Sequence, residues 1–93
     1  MTMNEYNAAV AQGVLTAIAD LEAGKCTLAE AQAVLQSAIP RFENDGSGVA
    51  EAVRLAEADL EEIQFTTLLD EQVPAAIFRL DELRASIEGS ADA

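Results

Sequence analysis

From Val49 to Thr67, apolar or small side chains recur at alternating steps of four and three: Val49, Val53, Ala56, Leu60, Ile63 and Thr67. A strand alternates its faces every two residues, so this spacing belongs to a helix, with a coiled-coil-like seam about two and a half heptads long. The same period runs through the rest of the chain. It is interrupted at three places: Gly24-Lys25-Cys26, the loop Asn44-Asp45-Gly46-Ser47-Gly48, and the region ending at Pro74. Four rods between three breaks predict an all-α fold, a small antiparallel bundle of four unequal helices with the third the longest. The 93 residues read as one domain (1–93), with Gly89 to Ala93 a frayed tail.

The first helix is predicted from about Asn4 to Ala23. Met3, Tyr6, Val10, Val14, Ala17 and Leu21 form its stripe, and Gly24 is placed to close it in a left-handed conformation. Thr27 followed by Glu30 is a capping box that starts the second helix. Its seam is Leu28, Ala31, Leu35, Ala38 and Phe42, and Pro40 should bend or end it. Beyond the third helix the seam shifts to Phe65, Leu69, Val73, Ala76, Leu80, Leu83 and Ile87. Either one long helix kinks at Pro74 or the chain breaks there. Proline prefers a first helical turn and pushes the residue before it toward extended geometry, so a break is expected, with one helix stopping near Asp70 and the next starting near Pro74. The expected core is Val10, Val14, Leu21, Leu35, Val53, Leu60, Ile63, Ile77 and Leu80.

Charge narrows function. The chain carries 17 acids, 5 bases and no histidine, a formal net charge of −12. Such a chain repels phosphate backbones and anionic lipid surfaces, so neither nucleic acid nor membrane is expected as a direct partner. Without histidine it lacks the commonest general base and metal ligand. Half the chain is hydrophobic, but alanine is abundant and aromatics are 4%. A core that thin often gains burial by self-association. One cysteine excludes an internal disulfide, the start has neither basic nor apolar signal character, and a cytoplasmic location is expected.

Each chemical candidate has a plainer alternative. Aligned as a calcium loop, Glu43, Asp45, Ser47 and Gly48 fall at the right places, but Arg54 occupies the position of the bidentate acid. A turn in which Ser47 or Asp45 caps the third helix explains the same residues. An acidic, small helical chain with Ser47 at a helix start resembles acyl and peptidyl carrier proteins, whose serine takes a phosphopantetheine arm. Their local pattern is Asp-Ser-Leu; here it is Gly46-Ser47-Gly48, with neither the acid nor the aliphatic. Lys25 and the following helix start should lower the Cys26 pKa, yet no histidine is present to act beside a thiolate. Glu57, Asp59, Glu61 and Glu62 read as a solvated face. No catalytic, cofactor-binding or metal-binding residue is expected.

What remains is apolar surface. Leu15 and Ile18 widen the first helix, Phe65, Leu68 and Leu69 make the end of the third apolar nearly all round, and Phe78 falls opposite the main stripe of the fourth. If these side chains converge they form an interface. The expected function is a non-enzymatic protein-interaction module, a homodimer, with acids rejecting nonspecific partners. The alternative is an acidic inhibitor or nucleic-acid mimic that covers a basic partner protein.

Overall fold

The computed structural model describes residues 2–91. They form a helical bundle of α1 (Glu5–Glu22), α2 (Leu28–Ala38), α3 (Val49–Thr66) and α4 (Gln72–Ala91), with single 3-10 turns at Ile39–Arg41 and Leu69–Glu71.

Local chemistry sets most of the boundaries. Asn4 caps α1 by accepting the Asn7 N–H on its side-chain oxygen at 2.7 Å. At the other end Gly24 takes a left-handed φ of 74°. The Gly24 N–H then donates to the Leu21 carbonyl and the Lys25 N–H to the Asp20 carbonyl. That pair of bonds is a Schellman closure, and it needs a residue free to adopt positive φ. The capping box of α2 is complete: Glu30 N–H donates to Thr27 Oγ1 at 3.1 Å and Thr27 N–H donates to Glu30 Oε1 at 2.8 Å. Pro40 ends α2, as expected, in a 3-10 turn from which Phe42 emerges extended and half-buried against the core rather than continuing the helical seam.

Helix α4, of 20 residues, is the longest; α3 and α1 each have 18. The sequence predicts the third helix as the longest, ending near Asp70; it is shorter because it ends earlier. Helix α3 stops at Thr66, and Thr67 and Leu68 take extended ψ values of 142° and 144°. The break therefore precedes the proline by several residues, and Pro74 sits inside the first turn of α4, where its missing N–H has no intrahelical acceptor to lose. Gln72 secures the junction, its side-chain amide donating to the carbonyls of Gln64 and Thr67 at the end of α3. Gly89 and Ser90, expected to fray, are helical, and the Ser90 carbonyl accepts the Met3 N–H at 3.1 Å. Residues 92–93 of the expected tail lie outside the described residues.

The core holds Val10, Val14, Leu21, Leu35, Val53, Leu60 and Leu80 as expected, with Ile63 and Ile77 packed half-buried at its edge. Burial of each leucine among them contributes about 1.5–3 kcal/mol. The buried face of α1 takes Asn7 in place of Tyr6 and adds Ala11 and Ile18 to the expected stripe. Asn7 is fully buried and Tyr6 is 48% exposed. Steps of three and four through Asn7, Val10, Val14, Ala17 and Leu21 fit the helical period better than a seam through Tyr6, but reading them requires a polar residue in an apolar row.

Candidate interaction surface

The six residues expected to form an interface separate into two groups. Ile18 is buried in the core at 1% exposure, and Leu15 is half-buried against it. Their apolar arc is used inside the bundle, so both leave the candidate surface. Phe65, Leu68, Leu69 and Phe78 are 83%, 70%, 85% and 75% exposed. Phe65 ends the exposed side of α3, opposite the Val53–Leu60 seam, while Leu68 and Leu69 lie in the connection that follows. The backbone break separates them from the line of residues that α4 buries. A helix continued through residue 69 would have kept Phe65 and Leu69 in line with Ala76 and Leu80; with Thr67 and Leu68 extended, that line is cut and only its α4 part from Ala76 onward reaches the core. Phe78 stands further along α4, about 9 Å of helical rise from Gln72. Leu55, 47% exposed on α3, was not foreseen. Its step falls between seam positions, which gives no sign of whether a neighbour covers it.

Three of the five basic side chains are ion-paired away from these residues. Arg79 pairs with Asp59 and reaches Glu82, Arg84 bridges Glu22 and Asp81, and Arg54 is held by Glu51 one turn away. A network of amides joins α2 to α3: Gln32 and Gln36 donate to Glu57 Oε2 at 2.7 and 3.2 Å, and Gln64 donates to Gln32. Among the described residues no ion pair involves Glu61, Glu62, Asp70 or Glu71, all of them exposed.

The chemical candidates resolve into structural roles. Asp45 Oδ1 accepts the Ser47 N–H and hydroxyl at 2.9 and 2.6 Å, and its Oδ2 accepts the Asn4 N–H at 2.9 Å. These bonds, the Ser47 hydroxyl first, hold the Asp45 pKa far below the ordinary carboxylate range. Ser47 Oγ in turn accepts the Val49 N–H at 3.2 Å, so the serine does support the start of α3, from one residue before the Gly48 cap. Asp45 thereby holds the loop to the start of α1, and Ser47 holds Asp45 and the start of α3. Asn7 completes this clasp. Its amide donates to the Glu43 carbonyl and accepts the Glu43 N–H, each at 2.8 Å. Cys26 departs from the expected lowering: its pKa is raised, by burial first and then by Asp20 and Glu30. Its sulfur lies 3.9 Å from the Ala17 carbonyl. Among the described residues no cluster of three or more acids or cysteines is arranged to hold a metal ion, and no helix is long and apolar enough to cross a membrane.

Compared with protein-family models, curated proteins and solved structures, the chain matches none.

Proposed function

We propose that this chain is a non-enzymatic protein-interaction module that docks through the elbow between α3 and α4. One observation carries the reading: Phe65, Leu68 and Leu69, three large apolar side chains within five positions, all stand at least 70% exposed. Singly exposed apolar residues are ordinary, but an adjacent group on a domain this small marks a surface meant to be covered. Phe65 stands on the face of α3 away from its seam, and the extended backbone at Thr67 and Leu68 carries Leu68 and Leu69 outside the core.

Two kinds of partner suit such an elbow. Self-association into a homodimer requires only one patch, used twice about a two-fold axis. A basic partner protein is supported by a separate observation, the exposed acids on both sides of the elbow. In that form the chain is an acidic inhibitor, steered to its target by charge.

Affinity capture from native lysate, run in parallel with wild type and a Phe65→Ser/Leu69→Ser variant, tests the module. Both side chains are exposed, so the double variant keeps its fold, checked by its helical circular dichroism. The expected result is a species, this chain itself or another, that wild type retains and the variant loses. Identical capture by the two proteins defeats the proposal.

A further inference from the structure

We propose that the elbow receives a short, basic, amphipathic segment of another protein rather than a second copy of this chain. The inference rests on the elbow being a docking surface and adds the chemistry of what docks. The first support is charge. Between Leu55 and Phe78 the sequence holds Glu57, Asp59, Glu61, Glu62, Asp70 and Glu71, and neither lysine nor arginine. Asp59 is engaged by Arg79, and Glu57 by Gln32 and Gln36. Glu61 and Glu62 precede the apolar trio, Asp70 and Glu71 follow it, and all four are exposed with no ion pair among the described residues. Any partner that covers Phe65, Leu68 and Leu69 therefore takes water away from beside four unneutralised carboxylates. A second copy brings four more to the same place. A segment carrying lysine or arginine beside its apolar anchors neutralises them instead, and their field speeds its approach.

The second support is area. At their observed exposures the three side chains present roughly 400 Å², about half of the ~800 Å² that each partner contributes to a stable protein–protein interface. That extent suits one face of a short helix, whose anchors recur every three or four residues, better than it suits a two-fold dimer.

The experiment uses the whole chain and three synthetic peptides. One is a two-heptad leucine/lysine peptide with leucine at the seam positions. The second replaces every lysine by glutamate. The third keeps the lysine peptide's composition but scatters its leucines around the helix. Binding is read by calorimetry, and its location by amide and side-chain NMR shifts, with sedimentation of the chain alone across a wide concentration range. Expected are binding of the first peptide, shifts centred on Phe65, Leu68 and Leu69, and weakening of about tenfold or more in Phe65→Ser/Leu69→Ser. Glu62→Gln/Asp70→Asn weakens it several-fold, as does raising salt from about 0.05 to 0.5 M. Equal binding of the scattered peptide, or shifts spread over acids of every helix, means charge alone and overturns the inference. Concentration-dependent dimerisation with elbow shifts also overturns it, while leaving the elbow an interaction surface. An elbow that responds neither to peptide nor to protein concentration removes both the inference and the function on which it rests.

Discussion

Asn7 is the side chain on which the end of the bundle most depends. It is the one buried polar residue of the described chain, and both ends of its amide are matched by the Glu43 backbone. Burial of an amide is tolerated only when its bonds are made, and here the bonds also fix where the α2–α3 loop meets α1. Asn7→Ala removes both bonds to the Glu43 backbone and is expected to cost about 1–3 kcal/mol in urea denaturation; a loss below about 0.5 kcal/mol contradicts the clasp. At α2, Thr27→Ala should cost about 1 kcal/mol and let the Glu30 pKa, held low first by the Thr27 backbone N–H and then by its side chain, rise only part of the way to its ordinary value, since alanine keeps the N–H. NMR titration of Glu30 reads the second effect directly. Cys26, its thiol disfavoured from ionising, should react with iodoacetamide more slowly than a free thiol at the same pH, and faster than that if the lysine governed it.

The helices differ in what ends them, and so in what each tolerates. Gly24 holds a positive φ for the α1 closure, and Pro40 terminates α2 through ring geometry. The end of α3 depends on neither residue type. Paired β-branched Thr66 and Thr67 weaken the helix, the Thr66 hydroxyl bonds back to the Glu62 carbonyl, and Gln72 takes up the last carbonyls. Pro74, inside the first turn of α4, is therefore a passenger of the break. Pro74→Ala should shift stability by less than about 0.5 kcal/mol in thermal or urea melts and leave the helical content unchanged. A merged α3–α4 helix, seen as added helicity, disproves this. The same contrast separates core from elbow: Leu35→Ala, at a fully buried position, should cost about 3 kcal/mol, whereas Leu69→Ser, 85% exposed, should cost less than about 0.5.

Charge governs the molecule as a whole. A net −12 on a chain whose radius of gyration is 12.7 Å creates self-repulsion that the three ion-paired arginines relieve only locally. Raising salt from about 0.02 to 0.5 M should raise the melting temperature, as scanning calorimetry can show. Acid acts through a separate route. Asp45, Glu30 and Glu51 all have pKa values lower in the fold than in the unfolded chain. Such groups stabilise the fold above the ordinary carboxylate range and lose that contribution as pH falls through their folded values. The Asp45 share is isolated by comparison with Asp45→Asn: the stability gap between wild type and variant should be wide at pH 7 and narrow from about pH 5 downward. A gap constant with pH rules out Asp45 as a charged fastening of the α1–loop contact.

By itself the sequence determined what is local. The helical period, the Thr27–Glu30 capping box, the Gly24 closure and the ending of α2 at Pro40 each follow from residues within a turn of one another, so propensity and hydrogen bonding over that distance suffice. Tertiary structure decided whatever depends on residues far apart. Ile18 and Asn7 are buried because other elements cover them, Asn7 by a backbone 36 positions away. The α3 break falls at Thr67 rather than Pro74, with Gln72 bonding back across it to the Gln64 and Thr67 carbonyls while Ala76, Leu80, Leu83 and Ile87 of α4 pack in the core. An apolar side chain looks the same in sequence whether a neighbour reaches it or not, which is why Leu15 and Ile18 resemble Phe65 and Leu69 until the bundle is assembled.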